Sequence, residues 1–201
     1  DSVASRGLGD VYKRQVRIGS PKAVGGYAAT APMDTKRPTK APDPLTGYVK
    51  LGYISDDGVS IKTDFGTDKI KDWNLDTVAV VQKNSEASIE VTFISTDPET
   101  CRALFGDDGQ VTISNGHVIN ISIDGHIMPH RRWAFLLSDG QGEGILDIGD
   151  GQVTGVDGLE FKKDQVVGFK TTIELFKDEK GNFLNWLMVP PAAPKPSGSG
   201  S

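Results

Sequence analysis

His126 and His130 stand four residues apart, with His117 close by in the chain. On a helix that spacing sets two imidazoles on one face, which is the start of a zinc site. Pro129 lies between them, the neighbouring residues read as strand, and no third ligand follows at a metal-binding spacing. The pattern therefore reads as a polar loop, with no metal implied. Gly140, Gly142 and Gly144 form a glycine run that could cradle a pyrophosphate. A strand pattern follows it where a helix N-terminus is required, so no cofactor is implied. Asp56-Asp57-Gly58, Asp107-Asp108-Gly109 and Asp147-Ile148-Gly149-Asp150-Gly151 gather carboxylates, as calcium loops do. None has ligands at alternate positions with a distal glutamate, and all three read as β-turns that use Asp and Gly for local conformation. Cys101 falls on the apolar side of a short helical pattern and reads as an inert core thiol. No Ser-His-Asp set or paired-carboxylate motif stands out, so no catalytic residue is assigned and the chain reads as non-enzymatic.

These residues sit in a chain built of short strands. Its 201 residues suffice for one domain with a real core. It is turn-rich, with 24 Gly and 11 Pro, and long helical periodicity is absent almost everywhere. The expected fold class is all-β with one short α-helix. A net charge of −5 argues against a protein that grips nucleic acid by its phosphates. It does not argue against a surface that nucleic acid passes without sticking. A single cysteine excludes an intrachain disulfide. No apolar run reaches the ~20 residues that span a bilayer, and no apolar leader-like stretch is seen, so no membrane partner is expected.

Residues 1–15 are set apart, because 5–15, SRGLGDVYKRQ, resembles a translated sequencing-library adapter. Without them the balance is 19 Lys+Arg against 25 Asp+Glu, a net of −6. Residues 16–46, rich in Ala, Pro, Thr and Lys, read as an extended N-terminal arm with little apolar surface to bury. Such an arm is either disordered or ordered against a neighbouring subunit. Residues 47–189 form the β-domain, and 190–201 are a flexible Pro/Ala/Ser/Gly tail.

The domain is organised around 51–82. Val49, Leu51, Tyr53 and then Val59, Ile61 alternate about Asp56-Asp57-Gly58, which predicts a hairpin there. Residues 87–94 alternate as a half-buried strand, with Ile89, Val91 and Phe93 on one face and Ser88, Glu90 and Thr92 on the other. A helix is predicted over 98–105, with Thr96 or Asp97 as N-cap, Pro98 at its first position and Gly106 as its stop. Asn115-Gly116 signals a type I′ turn between 110–114 and 117–123. Further strands are expected over 132–137, 145–148, 152–156, 159–161, 166–176 and 183–189, with a loop at 138–144 and a turn at 178–182. Trp73, Trp133 and Trp186 lie among alternating apolar residues and read as core.

The run from Leu51 to Gln82 also carries a resemblance. Leu51, Gly52, Tyr53, Ser55, Asp57, Gly58 and Val59, then Ile70, Lys71, Trp73, Asp76, Thr77, Val78 and Gln82, match a recurring pattern. The pattern resembles the major tail tube proteins of long-tailed, non-contractile phages, above all those infecting actinobacteria. Asn74-Leu75 stands where that family usually has Gly-Gly, and Asn tolerates the left-handed conformation such a turn needs. Later matches are Arg132, Trp133, Asp139, Gly151, Gln152, Val153, Thr154 and Gly168, so the resemblance covers roughly 48–189. It implies a β-sandwich or partly closed barrel, and a structural virion protein. It also implies assembly with itself into hexameric rings stacked as a tube, with tape-measure and tail-tip or terminator proteins as partners. Double-stranded DNA would pass through the lumen without specific binding. The subunit would be assembled in the host cytoplasm. Motif positions expected to serve assembly are Gly52, Tyr53, Asp57, Gly58, Trp73, Asp76, Thr77, Val78, Gln82 and Trp133. The turns at 56–58 and 138–144 are expected at ring–ring contacts. Two other readings remain: a carbohydrate- or host-binding β-sandwich module, which calls for an exposed aromatic platform, and the tube of a contractile injection or secretion machine.

Overall fold

A computed structural model describes residues 20–21, 28–107, 109–138, 143–157 and 167–189. In chain order the elements are β1 (Ser20–Pro21), β2 (Ala28–Ala31), β3 (Val49–Lys50), β4 (Ile54–Asp64), β5 (Thr67–Lys71), β6 (Thr77–Gln82), β7 (Glu86–Phe93), α1 (Pro98–Phe105), β8 (Val111–Ser114), β9 (His117–Ile121), β10 (Arg131–Ser138), β11 (Glu143–Asp157), β12 (Phe169–Leu175) and β13 (Asn185–Met188). The fold is all-β with one short helix, as the composition and periodicity imply. The strands do not close into a barrel: the main sheet is an open path β3-β2-β10-β11-β12-β7-β4.

The 15-residue strand β11 joins two halves of that sheet. Its first half pairs with β10 on one side and with β13 on the other. Its second half pairs with β12, which leads on to β7 and β4. Sequence reading split this strand in two at Asp147-Ile148-Gly149-Asp150-Gly151 and expected a turn. The structure carries the strand through with a bulge, where three steps of β11 from Ile148 to Gly151 stand against two of β10, and neither glycine takes a left-handed φ. Gly151 instead permits close approach. A side chain there would meet Trp133 and Ile173 at 3.0 Å, one from each half of the sheet. The Trp133 indole donates to the Gly151 carbonyl (3.2 Å), so the largest core side chain is tied to the crossing point.

One apolar cluster gathers Trp133, Phe135, Leu146 and Ile148 from the β10 half with Ile89, Val91, Phe93, Phe169, Ile173 and Leu175 from the other. Helix α1 adds Cys101, Leu104 and Phe105, and Phe105 meets Phe169 edge-on at 5.5 Å. Asp97 is the N-cap: its carboxylate accepts from the Thr100 amide (2.9 Å) and hydroxyl (2.8 Å), while Pro98 occupies the first turn. Burial pushes the Cys101 thiol up to about 11, which fits an inert core cysteine. Asn115 and Gly116, both at positive φ, make the tight turn between β8 and β9.

The hairpin expected at Asp56-Asp57-Gly58 is a bulge. Both flanks belong to β4 and pair with β7, Ile54 opposite Phe93 and Val59 opposite Val91. Gly58 supplies the positive φ that the excursion needs. Alternation about an Asp-Gly pair predicts a reversal only when the two flanks must pair with each other. Here one neighbour, β7, offers both of them a partner.

Just before β4, Gly52 is clamped onto the start of α1. Its amide donates to Thr100 Oγ1 (2.8 Å), and the Tyr53 amide donates to Ser95 Oγ (2.7 Å). A Cβ on Gly52 would fall 2.2 Å from Ser95 Cβ.

Residues 32–48 cross the other face of the β10 half. Leu45 is buried there with Ala29, Ala134 and Ile145, and Tyr48 packs alongside. The arm expected to bury little thus does bury apolar surface, because alanines in β2 leave room for Leu45 to seat. Arg37 pins the segment. Its Nε and Nη2 reach Asp147 Oδ2 (3.0 and 2.7 Å) and its Nη1 reaches Asp178 Oδ2 (2.7 Å). Asp147 is 2% exposed, so loss of Arg37 would leave its carboxylate buried without this ionic partner.

Three outcomes test this account. Arg37→Ala strands a buried carboxylate and is expected to lower unfolding free energy by about 3 kcal/mol or more in urea titration. The Arg37 hydrogen bond holds the Asp178 carboxyl below its ordinary value. A depressed carboxylate contributes stability above the ordinary carboxylate range and loses it as pH falls through the depressed value. The stability gap between the native chain and Asp178→Asn is therefore expected to shrink as pH is lowered below about 4. Gly52→Ala is expected to cost about 1–3 kcal/mol by overpacking against Ser95, with Ser95→Gly restoring part of it.

Candidate assembly surfaces

The ten motif positions fall in four places. Gly52 and Tyr53 hold the entry to β4 against the helix start, as described above. Asp57 and Gly58 lie in the β4 bulge. Trp133 is fully buried on β10, in the core. Trp73, Asp76, Thr77, Val78 and Gln82 all belong to the β5–β6 hairpin.

That hairpin is an isolated two-stranded sheet, and every residue of both strands is exposed. At its tip, Asp72 Oδ1 accepts from the amides of Asn74 and Asp76 (2.9 Å each), closing a tight turn. The left-handed residue there is Leu75 (φ 68°) and not Asn74. Leu75 takes this φ inside the turn that the Asp72 carboxylate caps. Trp73 is 99% exposed and Leu75, Val78, Val80 and Ile70 are exposed as well. Trp73 is therefore not a core residue, and Trp186 is half-exposed at 49%. Sequence reading failed for Trp73 because β5 and β6 alternate as a buried hairpin does. Nothing in the pattern says that no layer covers either face.

A second feature is the half-sheet β11–β12–β7–β4. Its apolar face is the core. Its other face carries the alternate residues, Ser88, Glu90 and Thr92 of β7 beside Lys170, Thr172 and Glu174 of β12, and no described element covers it. The outward set on β7 was legible from alternation alone. Lys62 donates to Glu90 across this face (2.5 Å), which lowers the Glu90 carboxyl from its ordinary value. Both lateral edges of the half-sheet are free among the described residues. β4 pairs only with β7, and 152–157 of β11 pair only with β12.

The histidines pair with separate carboxylates, His126 with Asp124 and His130 with Asp150, the latter at 2.6 Å. Asp107 pairs with Arg131. Residues 139–142, at the heart of the glycine run and of the expected ring-contact loop, lie outside the described residues, as does 159–161.

Among solved structures the chain is similar to the tube-terminating cap of an anti-feeding prophage, at 10% identity and a TM-score of 0.39, over 90% of this chain and all of that one. A likeness of that size carries no argument. No curated protein matches the chain. The family model described as phage tail tube protein matches residues 20–198, which takes in the whole β-domain with both free edges and the bare hairpin. The chain belongs to the phage tail tube protein family, whose members are structural proteins of the virion.

Proposed function

We propose that the chain is the subunit that builds the tail tube of a long-tailed, non-contractile phage, of the actinobacteriophage type that its motifs resemble. Six copies form a ring, rings stack into a hollow tube, and double-stranded DNA travels through the lumen. Its role is structural and not catalytic. Tape-measure, tail-tip and terminator proteins are its further partners, and assembly takes place in the host cytoplasm.

The observation that carries the reading is the half-sheet with two free edges. An open edge presents unpaired N–H and C=O groups, and natural proteins blunt, cover or pair it. β4 of one copy can pair with 152–157 of the next. A head-to-tail contact of this kind closes into a ring when its rotation permits. The β5–β6 hairpin supports stacking. A lone two-stranded hairpin is marginal in water, and exposed valines, Leu75 and Trp73 call for a covering surface on a neighbouring copy. Motif positions 73, 76, 77, 78 and 82 thus act together in assembly, while Gly52 and Trp133 hold the subunit's own fold.

Trp73 also favours a second reading, since a carbohydrate-binding module needs an exposed aromatic. It stands alone at a hairpin tip beside Leu75, whereas a sugar platform pairs its ring with convergent polar groups.

Negative-stain microscopy of the full chain, concentrated and then seeded with a tail-tip complex, is the direct test. Hollow rings or tubes are expected, and a subunit that stays monomeric on the seed would overturn the reading. Trp73→Ser is expected to leave monomer stability within about 0.5 kcal/mol, because the side chain touches nothing, yet to abolish tube growth. Normal tubes from that variant would remove the hairpin from the assembly surface.

A further inference from the structure

We infer that the cleft beside the free edge of β11 is a socket for a second copy of this chain, and that Ile61 on the arriving β4 is the side chain that fills it. The inference rests on the edge-to-edge ring reading above. It adds which side chain crosses the contact, what receives it, and how the pair selects one register.

The first argument is the cavity. Past residue 151 no described strand flanks the outer side of β11, so the apolar layer it covers is open sideways. A cavity of about 230 Å³ lies there. Its apolar walls are Leu104 and Phe105 from the end of α1, Met128 from the loop after β9, and Val153 and Val156 from the edge strand itself. A water molecule's share of liquid volume is about 30 Å³, so the space is on the scale of a side chain. The loop wall is held in place within the subunit. Asp124 accepts from the His126 amide (3.1 Å) and from Gln110 Nε2 (3.0 Å), and it pairs with the His126 ring. Gln152 Nε2 donates to the Met128 carbonyl (2.6 Å), which fastens the loop to β11. The socket is therefore formed before a partner arrives.

The second argument is the occupant. On the opposite edge of the same half-sheet, Val59, Ile61 and Thr63 of β4 stand opposite Val91, Ile89 and Ala87, so all three lie on the apolar face. Val59 packs into its own subunit's core, and Thr63 is polar. Ile61 is 41% exposed although its cross-strand partner Ile89 is fully buried. One edge of the apolar layer thus ends in a bare branched side chain and the other in a cavity. The period of two decides how they meet. Val153 and Val156 stand opposite Ile173 and Thr171, both fully buried, so they too lie on the apolar face. When β4 pairs with 152–157 apolar face to apolar face, Ile61 falls on the side of these valines, over the cleft. A slip of one residue brings Lys62 there instead, and an unpaired ammonium among apolar walls is costly. The socket therefore rejects the slipped register as well as burying area in the correct one.

Two measurements on the full chain, made where the native chain builds tubes, test this. In the first, Ile61→Cys is combined with Val156→Cys or, further along the same face, with Val153→Cys; buried Cys101 contributes no background. Directly opposed side chains of paired strands come within disulfide reach. Oxidised tubes of at least one combination are expected to give a ladder of covalent oligomers on a non-reducing gel, and the monomer none. Lys62→Cys with Val156→Cys, on opposite faces, is expected to give no ladder. Tubes in which neither Ile61→Cys combination cross-links, or in which Lys62→Cys cross-links equally, would overturn the inference. In the second, Ile61→Asp is expected to keep the monomer's circular dichroism spectrum and to lower tube yield about tenfold or more, since it carries an unpaired charge into the socket. Ile61→Val is expected to keep the native yield. Native yield from Ile61→Asp would remove Ile61 from the contact while leaving the ring reading in place. A native chain that builds no tube on the seed is a different result, because it overturns the ring reading and this inference with it.

Discussion

The fold depends on one shared strand. β11 is the neighbour of β10 and β13 along its first half and of β12 along its second, so two half-sheets must meet along a single backbone. Where they meet there is space for no side chain, since Trp133 and Ile173 already stand 3.0 Å from where a Cβ would lie on Gly151. The indole bond to the Gly151 carbonyl ties the core's largest group to that point. A larger residue at 151 would require Trp133 or Ile173 to give way by a few tenths of an ångström. The free edge at 152–157 exists because β10 pairs with β11 no further than Gly151.

Much of this was readable in the sequence, and the readable parts share a cause. β7 and β12 alternate without interruption, and a strand with core on one face and nothing on the other leaves that signature. The helix was readable because capping is local chemistry: an aspartate, a proline and a glycine within ten residues satisfy its ends. Asn115-Gly116 was readable for the same reason. What misled was any feature whose meaning depends on a distant partner. Asp56-Asp57-Gly58 has the residues of a reversal, yet both of its flanks pair with β7 and the chain continues. Trp73 sits in a pattern identical to a core strand, yet whether a layer covers it is settled by the topology of the whole chain.

The Arg37 clasp lay beyond sequence reading altogether. Its acceptors, Asp147 and Asp178, are more than a hundred residues away and sit in two different elements, one within β11 and one in the turn before β13. Each looked like an ordinary turn aspartate. Asp178 does cap its turn, accepting from the Lys180 and Asn182 amides through Oδ1, and it uses its other oxygen for Arg37. One carboxylate thus links the turn, the crossing segment 32–48 and the face that segment covers. The assembly surfaces divide similarly. The alternation of the bare face was visible, but its coherence across four strands needs the register.

The β4 bulge has a consequence for how the free edge can be used. Four residues, 55–58, stand against a single residue of β7, Thr92, so the strand is offset and locally twisted there. An arriving strand cannot slide past that point and still find paired amides. It meets a straight run only from 59 to 64, six residues with one end closed. In a sheet a slip of one residue turns every side chain to the wrong face, so a stop of this kind acts as a keyway. Asp57 and Gly58 make it from opposite properties, a charge that stays in water and a backbone that bends where others resist. An edge with a keyway accepts one strand in one register, and an edge without one accepts any number in any register, which is the difference between a counted assembly and an aggregate.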